Sequence, residues 1–380
     1  MISAIRQSLI LNLKNILGWQ TKRKIVVIEC DDWGSIRMPS RQVYEKLLGA
    51  GIPVDNNRFT RNDTLADKED LENLFEVLCS VKDLNRNPAV MTPFSNVANP
   101  DFDKIRQSDF KEYHYEPFTK TLQRYNRHPD TFKLWQEGIE KGLFVPEPHG
   151  REHLAVQLWM QKLQEGDKKV RIAFDLEYTS VDVEEIPAVA QQFRPEFYYN
   201  ADSQKKFLEH SIKDGIDLFV QIFGYKPIAF VPGNGVFHPD LEIPLSETCV
   251  QFLHTGYWEP IYNINGSISH SMHHFGQKSK SGLRYYMRNC NFEPAAEFYN
   301  GLRLTMKQIE AAFRWNKPAI IGTHRVNFVG GINKANGEIG LNELKILLNS
   351  IVRRWPDVEF MSTSELLKTL KEKRVNQQSE

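Results

Sequence analysis

The sequence predicts an α/β protein built on parallel strands, as an open sheet or a barrel. Three observations predict it. Short apolar, β-branched runs alternate with segments of helical periodicity along most of the chain. Those runs are continuously apolar, as strands covered on both faces require. No internal repeat with a period of about 20–50 residues points to a solenoid instead. The 380 residues suit one large domain with insertions.

The chain opens "MISAIRQSLILNLKNILGWQTKRK". Leu9, Leu11, Leu13, Ile16 and Leu17 suggest a short amphipathic helix within residues 1–23 that packs against the body. Arg6, Asn12, Lys14 and Asn15 interrupt it, so it lacks the apolar centre of a signal peptide. No stretch approaches the ~20 apolar residues of a membrane span. The expectation is a cytoplasmic enzyme.

"KRKIVVIEC" (22–30) reads as a buried strand with "DDWGS" at its C-terminal mouth, and "PAVMTPF" (88–94) as a second strand. Helices are expected at 41–48 and 68–82, and over much of 116–142, closed by Gly142. "LFVPEPHG" follows as a short strand and loop, then a helix from about His153 to Leu163. "KVRIAFDL" (169–176) reads as a strand, and 202–225 as a helix ending at Gly224. "PIAFVPGNGVF" is a strand running into a Pro/Gly loop, and "RYYMRN" alternates like a strand. "TMKQIEAAFRWN" is helical, "PAIIGTH" a buried strand, "GLNELKILLNSIVRRW" a helix, "VEFMS" a strand and "TSELLKTLKEK" a last helix. The polar end "RVNQQSE" reads as a frayed tail over 373–380.

Composition excludes several functions. The chain is 41% apolar and 25% charged with zero formal net charge, and no basic stripe marks it for nucleic acid. Its four cysteines, Cys30, Cys79, Cys249 and Cys290, form no C-x-x-C pair and read as buried free thiols.

In parallel α/β folds, reactive groups gather at the C-terminal strand ends. Three such ends carry them here: Asp31 and Asp32, then His149 and His153, then His324. Taken singly, each has an ordinary structural reading. Adjacent aspartates often make a solvated turn, and a lone histidine often packs. Three such ends in one fold favour function. One carboxylate and two histidines make a three-ligand metal site with open positions. A second carboxylate beside it serves as general base, and His324 protonates the leaving group. That set hydrolyses an amide or ester. "SISHSMHHFG" (His270, His273, His274) lacks a nearby carboxylate and reads as rim.

These residues resemble the polysaccharide deacetylases of carbohydrate esterase family four, with their chitooligosaccharide-deacetylase-like domain. "VIECDDWGS" resembles the family's first motif, which implies Asp31 as base and Asp32 as metal ligand. "HGREH" is similar to the second, implying ligands His149 and His153. "IAFVPGNGVF", led by "IFGYKP", resembles the third, a loop that lines the site through Pro232 and Asn234. "IIGTHR" resembles the fifth and implies His324 as acid, while "VEFMSTSELL" is similar to the closing strand and helix.

The resemblance runs over residues 24–370. It implies a distorted (β/α) barrel of about seven parallel strands. One such domain would span 24–372, with insertions near 55–85, 100–125 and 175–200. It also implies zinc as the metal and an acetylated sugar or polysaccharide precursor as substrate. Trp33, Trp258, Tyr257 and Tyr262 are candidates to stack on sugar faces, against the alternative of core packing.

Departures from the family pattern are specific. Gly150 stands where serine or threonine is usual. Phe230 and Val231 precede Pro232 where an arginine that steadies the catalytic aspartate is usual; Arg151, Arg325 and Arg288 are its possible replacements. The first two motifs lie further apart than usual, which implies an elaborated rim. The nearest fourth motif is "HTGYWEP", with Trp258 and Glu259. Rival readings are a non-catalytic sugar-binding relative and an H-x-x-E-H zinc peptidase using Glu152. Pro146 and Pro148 argue against the long helix that the peptidase needs. A glycosidase with Asp31 and Asp32 as its acid pair is disfavoured, because neighbouring strand residues point apart.

Overall fold

A computed structural model of the chain describes residues 11–125, 130–297, 299 and 301–377. Its strands are β1 (Lys24–Trp33), β2 (Met91–Ser95), β3 (Ala98–Pro100), β4 (Tyr115–Pro117), β5 (Glu147–Pro148), β6 (Ala229–Phe230) and β7 (Phe252–His254). They continue with β8 (Trp258–Tyr262), β9 (Ile268–Met272), β10 (Arg284–Tyr286), β11 (Cys290–Asn291), β12 (Ala319–His324) and β13 (Val358–Phe360).

The protein is α/β with parallel sheets, as its sequence pattern predicts. A six-stranded sheet runs β11-β12-β1-β2-β5, with β13 also on β1, and a three-stranded sheet runs β10-β7-β6. Every pairing in both sheets is parallel. The sheets meet where Val231 N–H donates to the Pro148 carbonyl across 3.3 Å. Two antiparallel hairpins, β3-β4 and β8-β9, lie outside them.

β1 is the central strand and is buried from Ile25 to Trp33. Its side chains alternate between two cores. Val26, Ile28 and Cys30 join one apolar cluster, and Ile25 and Val27 join the other. β12 splits in the same way, with Ile321 in the first cluster and Ile320 in the second. Burial on both faces is why these strands read as continuous apolar runs.

Most expected helices are present. Lys68–Cys79 opens with a reciprocal capping box between Asp67 and Asp70. Asp202–Phe223 ends at Gly224, which takes φ 76° as its left-handed cap. Two expectations are corrected. "KVRIAFDL" is no strand but lies in the helix Lys168–Asp175: Asp167 caps Val170 N–H, and Val170, Ala173 and Phe174 bury one helical face. The helix expected from His153 begins only at Val156, which leaves both histidines in the preceding loop.

Residues 1–10 of the expected N-terminal helix lie outside the described residues. Of the rest, Leu11–Leu13 are helical, and Leu13 and Leu17 are exposed. Lys317 Nζ ties this segment down by donating to the carbonyls of Leu17, Gly18 and Trp19. Cys30 and Cys290 are buried as expected, but Cys79 is exposed at its helix end. Among the described residues, no helix is long and apolar enough to cross a membrane.

Candidate active site

β1 delivers two carboxylates to one pocket. In a regular strand Asp31 and Asp32 would face opposite ways. Here the register of β1 against β2 shifts between Cys30 and Trp33, and Asp32 takes φ 71°. This irregularity breaks the alternation on which the case against an aspartate pair rested. Both buried acids line a pocket of about 400 Å3 together with His149, His153 and His324.

Asp32, His149 and His153 offer ligand atoms that all lie within 4.8 Å of one another. His149 Nδ1 is 2.7 Å from the Val231 carbonyl, and His153 Nδ1 is 2.7 Å from the Arg194 carbonyl. A carbonyl only accepts, so each ring carries its proton on Nδ1 and turns a bare Nε2 inward. Those Nε2 atoms stand 3.9 and 3.2 Å from Asp32 Oδ1.

Burial, reinforced by Arg194, pushes the His153 imidazole down to about 3, and burial also lowers His149. Both rings are therefore neutral near pH 7. Burial works upward on Asp32, but the positive charge of Arg37 and His324 works against it, and the carboxyl is held well below its usual range. Two bare ring nitrogens and a carboxylate thus converge with no proton to share. That donor set fits a divalent cation, with both imidazoles already oriented by backbone carbonyls.

Asp31 is held separately. Arg288 grips it with both ends of its guanidinium, Nη1 to Oδ2 at 2.5 Å and Nη2 to Oδ1 at 2.6 Å. The same guanidinium donates through Nε to Glu29 at 2.6 Å, and Thr363 Oγ1 donates to Glu29 from the other side. Burial raises the Asp31 carboxyl, yet Arg288, followed by His324, depresses it well below the usual range. Of the three replacements for the missing arginine, Arg288 is therefore the one on the aspartate. Arg151 pairs with Glu152 and Asp214, and Arg325 pairs with Asp63.

His324 lies opposite, its Nε2 3.9 Å from Asp31 Oδ2. Its Nδ1 sits 2.6 Å from Glu293 Oε1. Burial lowers this imidazole, but Glu293 and the two aspartates overcome it and lift it to about 9. Glu293 is itself held by Asn327 Nδ2 and by Arg58. The expected fourth-motif carboxylate, Glu259, instead closes a local turn on Thr255 and Gly256. If His324 must be protonated to act, activity is present below about pH 9 and falls above it. Glu293→Gln removes the charge that raises it, so this alkaline limb moves to lower pH. A pH–rate profile of the two proteins checks this, and an unmoved limb sinks the pairing.

The remaining site residues divide. Pro232 and Asn234 line the pocket. Trp33 does not: it is 1% exposed and packs edge-on against Trp135 and Phe144 in the core. Trp258 is 64% exposed on the β8-β9 hairpin, stacked on His270, and is absent from the pocket wall. Glu152 is tied to Arg151 and Tyr113 outside the pocket, which removes it as a peptidase base. Glu293, Arg37, Arg58 and His254 were not singled out from sequence. Glu293 had a readable signal, since it directly follows the strand-end sequence "CNF" beside β12.

No family model matches the sequence, and no curated protein matches it. Solved structures do resemble it. The 4-alpha-glucanotransferase of Thermococcus litoralis has 13% identity over 91% of this chain, with a TM-score of 0.46. This chain spans 40% of that enzyme's length. Puue allantoinase has 10% identity, covering 92% of this chain and 91% of its own, with a TM-score of 0.44. The peptidoglycan deacetylase PdaC of Bacillus subtilis has 11% identity, covering 94% and 95%, with a TM-score of 0.34.

Proposed function

We propose that the protein is a metal-dependent hydrolase that removes acetyl groups from an N-acetylated sugar or polysaccharide precursor. The observation that carries this reading is the convergence of bare His149 and His153 nitrogens on Asp32, beside two groups whose acidities are pushed apart. Asp32, His149 and His153 would hold the metal, a divalent cation that the resemblance to the deacetylases suggests is zinc. Bound there, it supplies Lewis acidity toward the amide carbonyl and toward water.

The chain's own residues do the rest. Asp31, ionised and fixed by Arg288, takes the proton of the attacking water. His324, kept protonated by Glu293, gives a proton to the departing sugar nitrogen. Opposite shifts in two neighbouring groups are what assign base and acid. A carboxylate held this low is a weak base at equilibrium. The proton it takes from water therefore passes on to His324, which has given its own to the departing nitrogen, so both groups return to their starting state. The non-catalytic reading loses its main support, because Arg288 occupies the role of the missing arginine.

The test pairs metal analysis with acetate release from a panel of N-acetyl sugars. Asp31→Asn should keep its metal and lose about a hundredfold or more in rate, the range for removing a general base. Sugar binding by the wild type without acetate release would point to a binding protein instead. A wild-type chain that takes up no metal would remove the basis of the proposal.

A further inference from the structure

One wall of the pocket carries a cation that nothing in the proposed reaction uses. Arg37 follows β1 and is 7% exposed. Its Nε and Nη1 are buried and have no hydrogen-bond partner. Burying guanidinium N–H groups without acceptors costs free energy that a folded protein ordinarily recovers through a partner.

The other two arginines lining the pocket are committed; Arg194, 3.7 Å from Asp32, also has a buried unpartnered Nε but is not part of the pocket wall. Arg288 is bound to Asp31 and Glu29, and Arg58 lies 2.9 Å from Glu293. Asp63 gives its Oδ1 to Arg325 and keeps a buried Oδ2 without a partner, yet no hydrogen bond joins it to Arg37; Asp32 faces the two histidines and Arg194. Arg37 acts on Asp32 and Asp63 only through space. Its position is fixed by packing, with its guanidinium 4.8 Å from the Phe59 ring centre. Arg58 covers the same ring at 4.6 Å, and Phe59 packs edge-on against His324. The unpaired donors thus belong to a rigid wall that reaches the acid.

We propose that Arg37 is an anion-recognition residue of this pocket, and that the substrate carries a carboxylate or phosphate close to the amide that is cleaved. This rests on the deacetylase reading and narrows its substrate class. A planar fork of donors matches either oxyanion, and a ligand oxygen supplies the acceptor the fold withholds. A second use of the same donors, on the acyl oxygen during hydrolysis, predicts different behaviour and is separated below.

The experiment uses the full metal-loaded chain with N-acetylglucosamine, its 6-phosphate and an N-acetylhexosamine bearing a uronic carboxylate. Binding is measured by calorimetry and turnover by acetate release. The wild type should prefer at least one anionic sugar over the neutral one by about tenfold or more, as a charge-assisted contact gives. Arg37→Gln should erase that preference, and Arg37→Lys should keep part of it. Which anionic sugar shows the preference separates phosphate from carboxylate. A preference unchanged in Arg37→Gln, or no preference in the wild type, overturns the proposal. Equal loss of turnover on neutral and anionic sugars assigns Arg37 to the acyl oxygen and also overturns it. If no sugar releases acetate but the Arg37-dependent preference is seen in binding, the deacetylase reading fails and the anion site stands.

Discussion

Arg288→Met is expected to destabilise the protein by about 3–5 kcal/mol, the cost of breaking a buried ion pair from one side. The guanidinium serves two buried carboxylates at once, Glu29 and Asp31. Without it both charges sit in a core that cannot solvate them. Thr363 Oγ1 remains on Glu29 but carries no charge. Activity should fall with stability, and the pH profile tells the two apart. Asp31 is depressed mainly against burial by Arg288, so its ionised form is present well into acid. Removing Arg288 raises that carboxyl. The acid limb of the rate profile, where activity is lost as pH falls through the base, then moves to higher pH. Arg288→Lys should restore part of the stability but less of the rate, because an ammonium cannot grip both oxygens of Asp31 in one plane. Urea unfolding, metal content and the rate profile are the measurements. A stable Arg288→Met protein with an unmoved acid limb would mean that Arg288 does not position Asp31.

Legibility in the sequence follows the range of the interactions involved. Asp31, Asp32 and His324 were readable because each ends a buried parallel strand, where local pattern and site coincide. His149 and His153 were readable from spacing, although the reason differs from a helical turn. They lie in a loop, and two backbone carbonyls orient them. Arg288 could only be named among three candidates, because its choice of Asp31 depends on how β10 and β11 come to lie near β1. Glu293 was missed for the same reason: its partner, His324, is 31 residues away on an adjacent strand. "KVRIAFDL" was misread because a short apolar run fits either period, and the Asp167 cap that decides it lies just outside the run. Trp33 and Trp258 show how little an aromatic at a site sequence reveals. One fills the core and the other stands on an exposed hairpin.

Gly150→Ser, which would install the residue type usual in the second motif of the deacetylases the sequence resembles, is expected to abolish the metal binding proposed for His149 and His153. Gly150 takes φ 114°, a conformation that side chains rarely adopt. A Cβ there would lie 1.9 Å from Glu196 Oε2 and 3.3 Å from the Phe197 ring. Glu196 cannot easily withdraw. It is 2% exposed, and its Oε1 accepts from Arg151 N–H at 3.2 Å and from Ser211 Oγ at 3.1 Å. Burial, with Glu152 adding to it, raises this carboxyl well above its usual range, so it packs as a neutral acid. The space a serine or threonine would use is therefore occupied by Glu196, and glycine is what lets the loop pass. The loop must move by more than an ångström to admit a Cβ, and it carries His149 on one side of Gly150 and His153 on the other. Backbone strain alone should cost about 1–3 kcal/mol, and the overlap adds to it. Glu196→Ala combined with Gly150→Ser removes the overlap but not the strain, so it should recover stability only in part. Metal analysis and urea unfolding of the single and double variants decide the matter. A Gly150→Ser chain that holds its metal at wild-type stability would show that the loop can yield, and that Glu196 is not what excludes the usual residue.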